Sequence, residues 1–546
     1  MDYLFKLTSS MEKIFFDKPD KLPELKKASI LKNEIFSFQL AAFSNKSDTI
    51  HDYVKFEVVS QLKECIKIFR EGYVSVTTPR PIGFCDDDYL FTTPSVAPDP
   101  LFEITDRNGE IFSGQTRAFW FVVEPGEKFA GKFPIEVIIK NATDDKAIGN
   151  VSFELEIINA SLPRQELINS NWFHGDCIAT LHNTEVFSEK YWELTDKYMK
   201  VFRKFGHNMI LTPVVTPPLD TKVGGERPTN QLVDVYLDNG VYSFKFDKLK
   251  KWVDLALMNG IDHFEIAHLF TQWGAKYTPK VMAYVDGEYK KIFGWEVESL
   301  SDEYRAFIKA FVPALVNELK NYGVYDNCKF HISDEPMPEH KEQYLKVKNL
   351  ICEFVSEDKL QDALADFGFY EEGIVKHPVV SNDHINKFLD AKASGLWTYY
   401  CVSQGDKVSN RFIAMPSYRN RVLGLQLYKN EIEGFLQWGF NFWYSKLSAF
   451  VIDPYMTNDS SGFASGDGFV VYPVDDKGEV VCSLRLYVYN EGLQDLRALK
   501  LLESLTDREY VLSFLEDIYR FADYPRNNDY YLELREKINS EISKRI

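Results

Sequence analysis

Lys329-Phe330-His331-Ile332-Ser333-Asp334-Glu335-Pro336 reads as a buried strand that runs into two carboxylates and is stopped by a proline. Pro336 keeps Glu335 out of the right-handed helical region. Side chains alternate across a regular strand, so Asp334 and Glu335 can serve one pocket only where the backbone turns. A strand end before proline supplies such a turn. The segment is one of eight with strand character, at 167–174, 207–212, 261–268, 327–333, 360–366, 374–380, 395–402 and 433–441, and helical patterns such as 304–322 and 385–392 fall between them. Strands alternating with helices predict an α/β fold with a parallel sheet, and eight such units make a (β/α)8 TIM barrel the simplest architecture. Barrels of this kind carry their chemistry at the C-terminal strand ends, where Asp334 and Glu335 fall. The stretches 213–243 and 269–300 read as long loops rising from the second and third strands on that same face.

Before this region the pattern differs. Residues 34–160 carry short alternating runs, among them Phe36-Ser37-Phe38-Gln39-Leu40, Ile135-Glu136-Val137-Ile138-Ile139 and Val151-Ser152-Phe153-Glu154-Leu155-Glu156-Ile157, broken by turn signals at Pro125-Gly126 and 141–145. This predicts a β-sandwich. Leu162-Pro163-Arg164 marks a linker, and helices are expected after Leu493. The expected organisation is a sandwich over 1–162, the barrel over 163–505 and a helical extension over 506–546 packed on the barrel.

The chain has 546 residues, 45% of them hydrophobic, enough for more than one core. Its 81 acidic and 63 basic side chains give a formal charge of -18, which repels a phosphate backbone and argues against nucleic acid as a partner. Asp2, Lys6, Glu12, Lys13 and Asp17 interrupt the apolar positions of the first twenty residues, so no secretory leader is expected, and no run approaches the length of a membrane span. Seven scattered cysteines have no zinc-site spacing and point to free thiols, hence to a cytoplasmic location. Neither a phosphate-binding glycine loop nor a metal-ligand spacing is visible, so no cofactor and no metal are expected. Nothing specifies an oligomeric state.

A second cluster is aromatic. Trp397-Thr398-Tyr399-Tyr400 lies on the seventh strand, and Trp438, Asn441, Trp443 and Tyr444 surround the eighth. A sugar presents apolar C–H faces ringed by hydroxyls, which suits flat aromatic walls with a few placed polar groups. Singly, each aromatic is also at home in a core; their joint occurrence at two strand ends is the informative feature. Asp334 and Glu335 in turn suit helix capping before Glu339 as well as catalysis.

Several motifs together resemble glycoside hydrolase family 123 over roughly 165–505. They are His331-Ile332-Ser333-Asp334-Glu335-Pro336, Leu396-Trp397-Thr398-Tyr399-Tyr400-Cys401, Arg421-Val422-Leu423-Gly424 with Tyr428, and Gly434-Phe435-Leu436-Gln437-Trp438-Gly439 with Asn441 and Trp443. Gly466-Asp467-Gly468 with Tyr472-Pro473, and Arg485 followed by Glu491-Gly492 and Asp495, belong to the same set. The run Thr216-Pro217-Pro218-Leu219-Asp220 with Gly225-Glu226-Arg227-Pro228 is similar to the family's characterised members.

The resemblance implies exo-hydrolysis of terminal β-linked N-acetylgalactosamine, from glycans or glycolipid oligosaccharides, with retention. The 2-acetamido oxygen would attack the anomeric carbon, one of the substrate-assisted exceptions to two-carboxylate glycosidases. Asp334 would stay ionised through hydrogen bonds and polarise the acetamido N–H, while Glu335 would act as general acid and then base. Tyr399, Tyr400 and Tyr444 are the candidates to orient the acetamido oxygen, and the choice stays open. Trp397, Trp438 and Trp443 would wall the sugar, and Asn441 would meet a hydroxyl or serve as a structural amide. His174, Asp176 and His268 would contact sugar hydroxyls, with structural roles as the alternative. Arg421 and Arg485 suit either a ligand or ion pairs inside the domain. Two other functions remain open: a glycosidase acting on a sugar without an acetamido group, and a carbohydrate-binding protein without turnover.

Overall fold

The computed structural model describes residues 2–46, 50–81, 83, 85–105, 108–456 and 462–546, and the fold is mixed α/β. Each of the eight predicted stretches contains a strand: β1 (Ile168–Asn171), β2 (Met209–Thr212), β3 (His263–Ile266), β4 (Cys328–Phe330), β5 (Asp362–Leu364), β6 (Pro378–Ser381), β7 (Trp397–Tyr399) and β8 (Gly434–Gln437). They form one sheet in the order β4-β3-β2-β1-β8-β7-β6-β5, with every pairing parallel. At the two ends of that order, Phe330 forms a parallel bridge with Leu360, and the Gln361 N–H donates to the Phe330 carbonyl at 3.0 Å.

The period-2 alternation sorts the side chains into two cores. Met209, Leu211, Ala363, Val379, Trp397, Tyr399 and Leu436 share one apolar cluster with Trp172 and Ala267. Ile210, Phe264, Leu364, Val380, Tyr400 and Phe435 point the other way, into the larger core that also takes in the covering helices. Two of these helices, Ser417–Lys429 and Leu484–Leu505, approach so closely that a Cβ on Gly424 would stand 1.7 Å from the Gly492 carbonyl oxygen.

The expected loops at 213–243 and 269–300 are instead largely structured. They carry a four-stranded sheet of two antiparallel hairpins, Asp234–Asp238 with Val241–Lys245 and Val281–Val285 with Glu288–Phe293, joined by a parallel pairing. The turns are Asn239-Gly240 and Asp286-Gly287, each with both residues at positive φ, as the tight hairpin turn requires. Phe244 packs this sheet against Phe307 and Phe311 of the helix Asp302–Asn321.

The N-terminal region forms a seven-stranded and a five-stranded sheet around Phe38, Phe56, Phe119, Phe121, Val137 and Phe153. The seven-stranded sheet is completed by a hairpin from far along the chain, Val471–Val474 with Val480–Ser483, through Cys482 opposite Leu101. Arg485, which follows it, pairs with Asp99 of the sandwich through Nε at 2.7 Å and Nη2 at 2.9 Å, so this ion pair joins two regions rather than lying inside one. Arg421, by contrast, meets Asp495 and Glu491 locally, at 2.8 Å and 3.0 Å. The last helix, Asn528–Ser543, packs on the sandwich as well as on Leu484–Leu505: the Glu536 carboxylate accepts from Ser29 N and Oγ, and Arg535 reaches Glu34 and Asp495. All seven cysteines are free. Among the described residues, no helix is long and apolar enough to cross a membrane.

Candidate active site

Past Phe330 the chain leaves the sheet and turns at Glu335, whose φ of 44° lies in the left-handed region. That conformation costs a non-glycine residue on the order of 1 kcal/mol and persists only where the surroundings enforce it. Here they do so from both sides. The Glu335 N–H donates to Ala363 O on β5 at 3.1 Å, the Trp273 N–H donates to Asp334 O at 3.0 Å, and Ser333 Oγ donates to Thr271 O at 3.0 Å. The turn breaks strand alternation and brings the two carboxylates into one electrostatic unit.

Both groups are enclosed by protein yet keep partial contact with solvent. Burial and the Glu335 charge push Asp334 well above the usual carboxylate range, with Asp362 and Asp220 adding to the effect and His331 opposing it. Burial also raises Glu335, with Asp383 adding and the Tyr399 hydroxyl opposing by donating to Oε1 at 2.5 Å. Two such neighbours share protons rather than ionise together. The expected hydrogen bonds that would hold Asp334 charged are absent: among the described residues no protein group donates to its carboxylate, so both oxygens are open to a ligand donor.

Directly below lies a fully buried polar layer. The Glu265 carboxylate on β3 accepts from Trp172 Nε1 at 2.9 Å, from Ser170 Oγ and from His331 Nε2. His331 Nδ1 faces Asp362 Oδ1 at 3.3 Å, and Asp362 also accepts from Tyr344 at 2.5 Å, Ile332 N at 2.9 Å and Ser333 N at 3.3 Å. His268 stacks on His331 with ring centroids 4.2 Å apart. His268, His331 and Asp362 bring ligand-type atoms within 4.8 Å of one another, but both His331 nitrogens are already spent on carboxylates. The trio therefore offers no open ligand set for a metal.

Of the aromatics singled out in the sequence, Trp397 and Tyr399 line the inner core with Trp172, and part-buried Trp438 packs against it, its Nε1 donating to Asp467 at 3.2 Å. Tyr400 and Trp443 do not belong to this group. Tyr400 is one residue out of phase with Tyr399 and meets Phe435 edge-to-face in the outer core. Trp443 is buried against Tyr198 and His182, with its indole N–H on Val471 O. Asn441 is a structural amide, since it accepts from His174 N at 2.8 Å and donates to His174 O at 3.0 Å. His174 in turn meets Trp438 O and Arg227, Asp176 forms a buried pair with Arg227, and Tyr444 meets Thr180 while its ring lies beneath Arg227. These four build a joint under the eighth strand's loop, and of the three candidate tyrosines only Tyr399 touches the carboxylate pair.

The sequence reading did not single out His331, Glu265, Asp362 or Trp273. Glu265 stands at the inward position of a short apolar strand, His331 just past one and Asp362 at the start of another, so a lone polar residue in or beside each apolar run was the available signal. Trp273 is 43% exposed, has a left-handed backbone, and is tied to Asp334 through its N–H.

The sequence matches the profile of the glycoside hydrolase 123 catalytic domain over residues 172–502, more than half of the chain. The chain belongs to glycoside hydrolase family 123. Among solved structures, a family 123 glycoside hydrolase from Clostridium perfringens, studied for glycolipid glycan hydrolysis, aligns over 100% of this chain and 97% of its own, with a TM-score of 0.76 at 13% identity. At that identity the likeness speaks for the shared fold. A Bacteroides uniformis β-glucuronidase aligns over 86% of this chain and 48% of its own at 10% identity, but its TM-score of 0.29 bears no argument. No curated protein sequence matches the chain. The family 123 catalytic domain so delimited holds Asp334 and Glu335 together with Trp172, Glu265, His268, His331 and Asp362 of the buried layer.

Proposed function

We propose that this family 123 glycoside hydrolase is a retaining exo-β-N-acetylgalactosaminidase in which the substrate's own acetamido group is the nucleophile. The observation that carries the reading is the pair Asp334 and Glu335, turned into one site with the Asp334 carboxylate free of protein donors. A sugar amide N–H is a donor of the kind this carboxylate lacks. The empty pair holds its proton tightly. An N–H facing Asp334 favours its ionised form and moves the shared proton to Glu335, where the leaving oxygen needs it. Asp334 then polarises the amide, the acetamido oxygen closes on the anomeric carbon, and Glu335 first donates its proton and afterwards deprotonates the attacking water.

Tyr399 is assigned the acetamido oxygen once substrate enters, and Trp397 and Trp438 the apolar wall, whereas His268 is fully buried against His331 and presents no surface to a sugar. The parallel bridge of Phe330 to Leu360 supports reading the eight-stranded sheet as a closed (β/α)8 barrel, with the pair at its C-terminal mouth. Terminal β-N-acetylgalactosamine on glycans or glycolipid oligosaccharides is the proposed substrate. The free cysteines suit a reducing compartment such as the cytoplasm.

Release of the aryl group from aryl β-N-acetylgalactosaminide, but not from the corresponding β-galactoside, is the expected result, with inhibition by an acetamido-thiazoline. Turnover of the galactoside without thiazoline inhibition would replace this reading by a conventional glycosidase. Glu335→Gln should lose about 10²- to 10⁴-fold on natural leaving groups and far less on activated aryl ones. Asp334→Asn should cripple both classes.

A further inference from the structure

The buried layer does more than fill space beneath the pair. Three side chains from adjacent strands meet there without solvent: Glu265 on β3, His331 just past β4 and Asp362 on β5. Both nitrogens of the His331 ring face a carboxylate oxygen. A neutral imidazole carries one N–H and one lone pair, so one of these contacts would set a lone pair against a carboxylate; only the imidazolium satisfies both. Glu265 and Asp362 are also held rigidly by donors of their own, from Ser170 and Trp172 on one side and from Tyr344, Ile332 N and Ser333 N on the other. The two backbone donors lie immediately before Asp334, so the carboxylate that faces the ring also fixes the chain that presents the catalytic pair.

We propose that His331, clamped between Glu265 and Asp362, is a permanent cation under the active site and the positioning residue that sets the ionisation of Asp334. The groups facing His331 are Glu265 and the stacked His268 from β3 and its extension, Asp362 from β5, and Asp334 above it. Those facing Asp334 are Glu335, Asp362, Asp220 and His331, so His331 is the cation set against three carboxylates. Burial would by itself lower the imidazole, but Glu265 and Asp362 outweigh it and push His331 up to about 10. The stacked partner behaves oppositely. Burial and the His331 charge hold His268 well below the usual histidine range, so one ring of the stack is charged and the other neutral. Without that cation Asp334 would keep its proton to a higher pH, and fewer molecules would hold the form that polarises an amide. The inference rests on Asp334 and Glu335 being the working pair, not on the identity of the sugar.

The test combines a pH profile with a direct observation of the ring. In His331→Gln the acidic limb of kcat/KM, measured on whichever aryl glycoside the enzyme turns over, is expected to move up by about one pH unit. Glu265→Gln takes away the larger of the two charges that hold the ring protonated, so its limb should move the same way, by no more than that of His331→Gln. Activity lost equally at every pH in His331→Gln, with the limb in place, would make the residue a packing element and overturn the proposal, as would a downward shift of the limb in either variant. Should neither variant fold, nitrogen-15 NMR of the wild-type protein labelled at its 10 histidines decides. One imidazolium persisting at pH 8.5 is the expected spectrum, and ten neutral rings would refute the fixed cation. Because this readout needs no turnover, failure of the proposed activity and failure of the cation are separable.

Discussion

At the scale of single residues, the phenol of Tyr399 holds the Glu335 end of the same proton equilibrium. Its donation to Glu335 opposes the upward push of burial, so Tyr399→Phe should raise Glu335 further. In the proposed mechanism Glu335 works as an acid, so activity falls as pH rises through its titration, and the alkaline limb of kcat/KM should move up in this variant. One lost hydrogen bond to a reacting group is worth about 1–2 kcal/mol, or roughly tenfold in rate near neutral pH. An unmoved alkaline limb in a kcat/KM profile would separate Tyr399 from Glu335. The pair itself was legible in the sequence because Asp-Glu-Pro at a strand end is a local pattern, whereas strand parity separates Tyr399 from Tyr400 only once the register is known. The partner of His331 was not legible, since Glu265 lies 66 residues earlier and meets it only across the sheet.

At the scale of elements, the loop between β3 and the second hairpin is built to press on the turn that carries Asp334 and Glu335. Thr271 and Tyr277 close it with reciprocal hydrogen bonds, Ser299 Oγ and Gln343 Nε2 hold Ala275 O, and Trp273 and Ala275 are both left-handed. Gly274 between them has φ of +109°, and a Cβ there would stand 2.6 Å from the His340 ring. Gly274→Ala should cost about 1–2 kcal/mol of strain. The strain is relieved most cheaply by shifting this loop, which loosens the Trp273 N–H from Asp334 O. We expect kcat on an aryl glycoside to fall tenfold or more while the melting temperature drops by only a few degrees. Full activity in a folded variant would show that the loop does not position Asp334. The hairpins flanking this loop carried their signals openly, in Asn239-Gly240 and Asp286-Gly287. They were hidden by Glu288-Tyr289-Lys290-Lys291, a strand polar on both faces that lacks the alternation of a half-buried strand.

At the scale of the whole molecule, the sandwich and the parallel sheet are locked by charge as well as by apolar packing. The hairpin ending at Ser483 adds to the sandwich sheet, and two residues later Arg485 enters a fully buried ring of acceptors: Asp99 from the sandwich, and the Arg411, Gly466 and Phe469 carbonyls. Tyr472 also donates to Asp99 at 2.5 Å. No local pattern announces a pairing between positions almost four hundred residues apart, which is why the sequence places 471–483 wholly with the barrel and reads Arg485 as meeting either a ligand or an ion-pair partner within it. Asp99→Ala leaves the guanidinium charged, dry and short of the carboxylate it pairs with, and strands the Tyr472 hydroxyl as well; removing one member of a buried pair costs about 3–5 kcal/mol. Asp99→Asn keeps a single acceptor oxygen, for Nε, and its amide N–H can donate to the phenol oxygen, while the charge is lost, so its penalty should be the smaller of the two. Denaturant unfolding of both variants against the parent checks the order. If Asp99→Ala unfolds at the parent's midpoint, Arg485 has found water or another anion, and the joint between the two regions is carried by packing alone.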